Sequence, residues 1–169
     1  MDIPVYLFTG FLEGGKTTFI NGILQDGFAL RDRTLLLCCE QGEEEYDAKV
    51  LKNVTVVNVE EETGLNPAFL KQLEKKHRPK QILIEFNGMW SLARLYQEAL
   101  PDNWVLYQIM TMVESATFDT YAKNLGQMMM EKLTNADLIV FNRCTEALRD
   151  SLRQRNLKMV NRRASIYLE

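Results

Sequence analysis

The sequence lacks the features that mark several common classes of protein. It has no apolar run of the roughly 20 residues that a transmembrane helix requires, so we expect no contact with a membrane. Its three cysteines are an odd number and include no Cys-x-x-Cys pair, which is typical of a reduced protein of the cytoplasm rather than of a disulfide scaffold. No secretory signal pattern opens the chain. A net charge of −3 gives no electrostatic case for binding nucleic acid.

What the sequence contains instead is a regular alternation of two patterns. Its 169 residues suggest a single domain. Short apolar runs alternate with helical patterns, and these runs cover residues 3–8, 34–39, 54–59, 82–86, 105–113, 138–141 and 164–168. This alternation predicts right-handed βαβ crossovers, and hence an α/β fold in which a mostly parallel sheet carries helices on both faces.

Helical patterns fill the intervals between these runs. The dipeptide Asn66-Pro67 marks one helix start, because asparagine caps a helix and proline fits its first turn. Ser91 can cap a second helix that runs to Ala99. Further helices are predicted after residue 16, from about Phe118 to Leu133, and around Leu148, Leu152 and Leu157. Since ligands bind at the carboxyl ends of parallel strands, the loops after the first, second, fourth and sixth strands are where we expect function.

The loop after the first apolar run carries the strongest chemical signal. Residues 10–18 read Gly-Phe-Leu-Glu-Gly-Gly-Lys-Thr-Thr, which has the Walker A spacing of glycines, lysine and hydroxyl. Glycines let backbone N–H groups close around an anion, and the positive end of the following helix points to the same anion. We expect Lys16 to reach the outer phosphates of a nucleotide and the Thr17 hydroxyl to hold Mg²⁺.

Carboxylates follow two other predicted strands. Glu85 ends the fourth apolar run, and the N–H of the nearby Gly88 can approach a terminal phosphate. Glu40 follows the second run. An acid at either place can hold Mg²⁺ or orient an attacking water, and the alternative is a solvated carboxylate at the sheet edge. For the triplet Glu43-Glu44-Glu45 we expect the solvated alternative, because charge triplets are usually exposed.

Two further pairs of residues lie at predicted strand ends. Asn142 and Arg143 follow the sixth run, where an asparagine can hydrogen-bond a base and a cationic side chain can lie over its face. The adjacent Cys38 and Cys39 point to opposite faces of a strand, so we expect buried, apolar side chains there rather than a thiolate pair for a soft metal.

Together these segments resemble a known family. Residues 10–18 resemble the opening of the CobW-type P-loop GTPases, relatives of HypB and UreG. Residues 39–43, with Asp47, are similar to the Asn-Glu-x-Gly-Glu segment of that family and its later aspartate. Residues 85–88 are similar to its ExxG motif, and Asn142-Arg143 occupies the NK positions of its NKxD block.

The resemblance implies a three-layer P-loop NTPase domain that binds GTP, or another purine nucleoside triphosphate, with Mg²⁺ and hydrolyses it slowly. The nucleotide-binding positions that it implies are Gly10, Leu12, Glu13, Gly14, Gly15, Lys16, Thr17, Thr18, Gly88, Asn142 and Arg143. It places Lys16, Glu40 and Glu85 in catalysis and Thr17, Glu40 and Glu85 around the metal ion. The family assists metal delivery, which implies a metalloprotein client. Residues 1–169 are expected to form the G domain without the second domain that follows it in family members.

Three features depart from the family pattern. Glu13 replaces a glycine and adds a carboxylate beside a polyanion, where like charges about 4 Å apart repel by roughly 4 kcal/mol at an effective dielectric constant of about 20. Thr145 replaces the aspartate that reads guanine. The CxCC metal motif is missing after the third apolar run.

These departures leave two alternatives open. If Glu13 and Thr145 are marks of decay, the chain is a nucleotide-inert interaction module whose acidic loops or arginine-rich last helix contact a partner. The other alternative is a P-loop protein that binds ATP. We find no arginine-rich lid segment of the kind that P-loop kinases use.

Overall fold

Seven parallel strands form one sheet in the computed structural model, which describes residues 1–11, 14–42, 45–46, 51–155 and 157–169. Their spatial order is β3-β2-β4-β1-β5-β6-β7. The strands are β1 (Ile3–Thr9), β2 (Thr34–Cys38), β3 (Val54–Asn58), β4 (Gln81–Glu85), β5 (Trp104–Glu114), β6 (Leu138–Asn142) and β7 (Ser165–Leu168). The helices are α1 (Lys16–Gln25), α2 (Pro67–His77), α3 (Leu92–Arg94) with its π-helical continuation (Leu95–Ala99), α4 (Phe118–Asn124), α5 (Gly126–Thr134) and α6 (Glu146–Gln154). None of the helices in the described ranges combines the length and apolar character needed to cross a membrane.

Helices cover both faces of this sheet, which confirms the predicted three-layer α/β fold. On one face, Leu37 and Ile84 of the central strands pack in a cluster with buried side chains of α2 and α3. On the opposite face, Leu36 and Leu83 pack with Ile20 of α1. Because successive strand residues point to opposite faces, the continuous apolar runs of β2 and β4 supply both cores.

The register of the strands brings several loop starts to one edge of the sheet. Phe8 of β1 lies opposite Glu85 of β4, and Cys38 of β2 also lies opposite Glu85. On the other side of β1, Glu114 of β5 lies opposite Asn142 of β6. Because the strands are parallel, their carboxyl ends share this edge, where α/β sheets bind ligands. The edge therefore collects the loops that carry the predicted site residues.

Two helix starts follow the capping chemistry predicted from the sequence. The side-chain oxygen of Asn66 accepts a hydrogen bond from the backbone N–H of Phe69 at 2.9 Å, with Pro67 in the first turn of α2. The hydroxyl of Ser91 accepts from the N–H of Arg94 at 3.2 Å at the start of α3. Both caps are confirmed.

The helical pattern predicted from about Phe118 to Leu133 is confirmed, and the structure divides it into two helices. α4 ends at Asn124, and Leu125 has φ −129° and ψ 44°, outside the helical region. α5 then begins at Gly126. Glycine is about 1 kcal/mol less favourable than alanine inside a helix, so a break beside it costs little.

Asn161 connects three elements of the second half of the sheet. Its side-chain Nδ2 donates to the carbonyl oxygens of Leu133 at 2.9 Å and Ala136 at 2.7 Å, near the end of α5. Its Oδ1 accepts from the backbone N–H groups of Arg163 and Ala164, each at 3.1 Å. These bonds join the end of α5 and the approach to β6 to the approach to β7.

We predict that Asn161→Ala lowers the free energy of unfolding by about 3 kcal/mol, because several buried backbone groups lose their partners. Asn135→Ala is the matched control: Asn135 is exposed and donates to the carbonyl oxygen of Glu131 at 2.7 Å, so its loss should cost less than about 1 kcal/mol. Urea denaturation followed by circular dichroism measures both changes. Equal losses for the two variants would contradict the connecting role.

Candidate functional site

The loop between β1 and α1 uses glycine where a side chain has no room. Gly10 has φ 140° and Gly15 has φ 95°, both in the left-handed region that favours glycine. A Cβ atom at Gly10 would collide with the carbonyl oxygen of Met112, and one at Gly15 would collide with the side-chain amide of Asn142. The two ends of the loop therefore pack directly against β5 and the end of β6.

Lys16 opens α1 and is only 3% exposed. Its Nζ donates to the carbonyl oxygens of Gly10 at 2.5 Å and Phe11 at 3.3 Å. It also forms an ion pair with Glu40, in which 2.8 Å separates Nζ from Oε1. Burying an ammonium without a partner costs several kcal/mol, and these acceptors compensate for the hydration that Lys16 loses.

Glu40 connects Lys16 to the loop after β4. While Oε1 accepts from Lys16, Oε2 accepts from the backbone N–H of Gly88 at 2.9 Å. Gly88 is packed against the β1–α1 loop so closely that a Cβ atom there would collide with the carbonyl oxygen of Gly10. One carboxylate thus holds together the loops that follow β1, β2 and β4.

Thr17 and Glu85 form a second buried pair beside the first. Oε1 of Glu85 accepts from the Thr17 hydroxyl at 2.6 Å. Oε2 of Glu85 accepts a hydrogen bond from the hydroxyl of Tyr46 and lies 3.8 Å from Sγ of Cys38. Burial and the neighbouring Glu85 carboxylate raise the pKa of Cys38 to about 11, and the same causes raise the pKa of Tyr46. Both groups therefore keep their protons at neutral pH and can donate to Glu85. Cys39 is buried, as expected, but Cys38 is half-buried and has polar neighbours.

The donor atoms of this second pair suit magnesium. Thr17 and Glu85 place a hydroxyl and a carboxylate, both hard oxygen donors, at one point of the sheet edge. Mg²⁺ in proteins commonly uses one or two carboxylates together with substrate phosphates. Within the described residues, no group of three or more His, Cys, Asp and Glu side chains could hold a metal ion by itself. Glu40, which was also expected near the metal, is bonded to Lys16 and Gly88.

A cavity of about 500 Å³ opens beside the end of β6, within the size range of small-molecule sites. It is lined by Gly15, Thr18, Phe19, Asn142, Arg143 and Tyr167, among others. Nδ2 of Asn142 donates to the carbonyl oxygen of Gly14, and its Oδ1 is buried without a hydrogen-bond partner in the described part of the chain. Nη1 of Arg143 lies 3.0 Å from Oε1 of Glu114. The cavity thus joins the glycine loop to the two residues expected at a base.

Thr145, at the position where the family pattern has aspartate, caps α6. Its hydroxyl accepts a hydrogen bond from the backbone N–H of Leu148 at 3.2 Å. The Thr145 hydroxyl is therefore already used as the N-cap of α6, and it is a weaker hydrogen-bond acceptor than a carboxylate would be.

Some of the residues singled out in the sequence lie outside the described ranges. They are Leu12, Glu13, Glu43, Glu44 and Asp47. Of the other expected phosphate contacts, Thr18 is exposed and faces the cavity beside β6.

Sequence reasoning missed two side chains near the site. Tyr46 is a single aromatic residue in an acidic loop, and no spacing rule connects it to Glu85. Lys132 is only 4% exposed, with its Nζ 4.8 Å from the centroid of the Phe11 ring. Burial lowers the pKa of Lys132, although the nearby Glu131 carboxylate partly opposes this. A lysine in an amphipathic helix is ordinarily expected in solvent, so nothing in the sequence indicated this position.

We predict that Gly88→Ala lowers the free energy of unfolding by about 1–3 kcal/mol, because its Cβ atom would collide with backbone atoms of Gly10 and Phe11. Gly126→Ala is the matched control, since nothing lies within 4 Å of a Cβ atom built there, and we expect it to be neutral or slightly stabilising. Chemical denaturation of both variants gives the comparison. A Gly88→Ala protein as stable as the Gly126→Ala protein would show that the two loops are not in tight contact.

Curated proteins similar to this chain have names that refer to zinc. A zinc chaperone CobW from Sinorhizobium sp is 32% identical over 102 residues, which cover 52% of this chain and 28% of that protein. The zinc-regulated GTPase metalloprotein activator 1 from Schizosaccharomyces pombe is 27% identical over 160 residues, which cover 83% of this chain and 39% of that protein. The chain therefore spans less than half the length of these relatives.

The fold is shared with the solved structure of a GTPase. The Zn(II)-bound YjiA GTPase from E. coli superposes with a TM-score of 0.65 at 23% identity, over 99% of this chain and 57% of that one. The family pattern of the CobW/HypB/UreG nucleotide-binding domain matches residues 4–167. A match over nearly the whole length, with the glycine loop and strand-end residues in place, shows that the chain belongs to the CobW/HypB/UreG family and contains its nucleotide-binding domain.

Proposed function

We propose that this domain binds a purine nucleoside triphosphate with Mg²⁺, GTP in preference to ATP, and hydrolyses it slowly. The observation that carries the proposal is the buried Lys16 ammonium, held by the glycine loop at the start of α1 beside the Thr17–Glu85 pair. Family membership supports nucleotide binding, and the name of the yeast relative, a zinc-regulated GTPase, supports the choice of GTP.

The phosphates would lie against the start of α1. Backbone N–H groups of the β1–α1 loop and the positive end of the helix attract anions at this position. Lys16 would stabilise the charge that develops on the transferring phosphoryl group. Thr17 and Glu85 would hold magnesium, which neutralises phosphate charge when bound.

Hydrolysis would depend mainly on positioning and charge neutralisation, which is consistent with a slow reaction. Glu40 and Glu85 are the carboxylates near Lys16 and Thr17, and either can accept a hydrogen bond from the attacking water. The backbone N–H of Gly88 would donate to the terminal phosphate.

The nucleoside would occupy the cavity beside the end of β6. Asn142 and Arg143 line this cavity and can contact the base by hydrogen bonding and by stacking. Guanine presents two N–H donors on one edge, and Thr145 has no carboxylate to accept from both. We therefore propose only a modest preference for guanine over adenine.

We further propose a cytoplasmic role in metal handling, with a metalloprotein as the client. The names of the two curated relatives, a zinc chaperone and a metalloprotein activator, support this role.

A nucleotide-inert interaction module is the second candidate function. The ion pair between Lys16 and Glu40 favours it, because the lysine expected to bind phosphate already has an anionic partner. The replacement of glycine by Glu13 points the same way. Nucleotide titration separates the two candidates: tight binding by Glu13→Gly, with none by the natural sequence, would favour the inert module.

We predict that Lys16→Ala weakens binding of a fluorescent GTP analogue by roughly 10- to 150-fold, because a charge-assisted hydrogen bond contributes about 1.5–3 kcal/mol. Lys71→Ala is the control, since the Lys71 side chain is 53% exposed and pairs with Glu74 on α2. Fluorescence titration with and without Mg²⁺ measures the affinities. Binding that Lys16→Ala leaves unchanged would rule out the proposed phosphate site.

We predict that Thr145→Asp tightens GTP binding by roughly 5- to 150-fold and leaves ATP binding nearly unchanged, because a bidentate acceptor for guanine contributes about 1–3 kcal/mol. Aspartate is as good a helix cap as threonine, so α6 should start as before. Thr145→Asn is the control that keeps the cap without the charge. Competition titrations with GTP and ATP measure the ratio of the two affinities for each variant. Equal gains in affinity for both nucleotides would show that the base does not bind next to position 145.

A further inference from the structure

Both carboxylate oxygens of Glu40 form hydrogen bonds with the groups proposed to bind the terminal phosphate. The ammonium of Lys16 donates to Oε1 at 2.8 Å, and the backbone N–H of Gly88 donates to Oε2 at 2.9 Å. The Glu40 side chain is 9% exposed and that of Lys16 is 3% exposed, so water competes little for either contact. The carboxylate thus satisfies two separate donors at once.

A terminal phosphate group requires the same two donors. Like a carboxylate, it presents several anionic oxygens, and it accepts charge-assisted hydrogen bonds from an ammonium and from backbone N–H groups. The Gly88 N–H is a single donor with one well-aligned acceptor. An incoming phosphate must therefore displace Glu40 from Gly88 and at least share Lys16 with it.

We propose, on the basis of the nucleotide site proposed above, that Glu40 is an internal competitor of the terminal phosphate. Its carboxylate holds Lys16 and Gly88 until a nucleoside triphosphate displaces it. A diphosphate lacks the group that reaches Gly88, so it displaces Glu40 less completely. The domain consequently binds triphosphates more weakly than the same loops would without the Glu40 carboxylate. Triphosphate binding in turn releases the Glu40 side chain from Lys16 and Gly88.

The environment of Glu40 supports this role over that of a metal ligand. Glu85 is bonded to the Thr17 hydroxyl, an oxygen that can itself bind a metal ion. Both oxygens of Glu40 instead accept from the ammonium of Lys16 and the N–H of Gly88, which bind anions and not cations. A metal ligand and a competitor also predict opposite results, because removing a ligand weakens binding and removing a competitor strengthens it.

The test compares Glu40→Gln with the unaltered protein in titrations with a fluorescent, non-hydrolysable GTP analogue and with fluorescent GDP, both in Mg²⁺. We expect the triphosphate analogue to bind on the order of tenfold more tightly, with a smaller gain for GDP, because glutamine cannot form an ion pair with Lys16. Glu40→Asp should give a smaller gain in the same direction, since the shorter carboxylate cannot reach both donors. This second variant keeps the charge and so guards against poor folding of the first.

Glu60→Gln is the matched control. Glu60 is exposed and lines the same cavity of about 460 Å³ as Glu40, so the change removes an equal charge from the same surface. It should leave both affinities within about twofold, because a solvent-exposed charge is screened. A gain as large as that of Glu40→Gln would mean that general repulsion, not competition, sets the affinity, and would overturn the proposal.

A second measurement uses no nucleotide. Glu40→Gln should lower the midpoint of thermal unfolding, because Lys16 stays buried without its ion-pair partner, and Glu60→Gln should not. Lower stability combined with tighter triphosphate binding supports the internal competitor. Unchanged or weaker triphosphate binding by both Glu40 variants, while the natural sequence binds, overturns it and leaves the nucleotide site standing. If neither the natural sequence nor any folded variant binds nucleotide, the proposed function fails together with it.

Discussion

The buried ammonium of Lys16 is the constraint on which the rest of the site depends. A charge taken out of water costs several kcal/mol unless anions and oriented dipoles surround it. Here the surroundings come from separate parts of the chain: two carbonyl groups of the β1–α1 loop, and a carboxylate from the residues after β2 that also binds Gly88 after β4. These loops cannot be arranged independently, because moving any one of them would expose or unpair the lysine.

The parallel sheet makes this arrangement possible. β1 lies between β4 and β5, and β2 lies on the far side of β4, so the ends of β1, β2 and β4 lie side by side at one edge. The close approach of their loops leaves no room for a Cβ atom at Gly10 or Gly88, and Gly15 meets Asn142 in the same way. The glycines thus serve the contacts between loops as much as the conformation of each loop.

The sequence predicts the elements well because their signals are local. Each of the seven expected strands is present, and the Walker A spacing and the helix caps depend on neighbouring residues. The sequence does not predict the break at Leu125, because a single glycine in a helical pattern is usually tolerated. It does not predict the Glu40–Gly88 and Tyr46–Glu85 hydrogen bonds either, because each joins residues that are far apart in the chain and are brought together only by the strand register. Positions 12 and 13 lie outside the described residues, so the expectation for Glu13 remains a prediction.

The same physics connects stability to selectivity. A buried cation can be neutralised by an anion from its own chain or by one from a ligand, and the two compete for the same donors. The ion pair between Lys16 and Glu40 stabilises the fold, and a phosphate that displaces Glu40 would lose this stabilisation. A stronger ion pair would therefore weaken the binding of phosphate. In the proposed site, only a ligand that supplies at least as much negative charge as Glu40, and that also reaches Gly88, would displace it fully. Discrimination would therefore depend first on the phosphate end of the ligand, and the base, next to a threonine that caps α6, would contribute less.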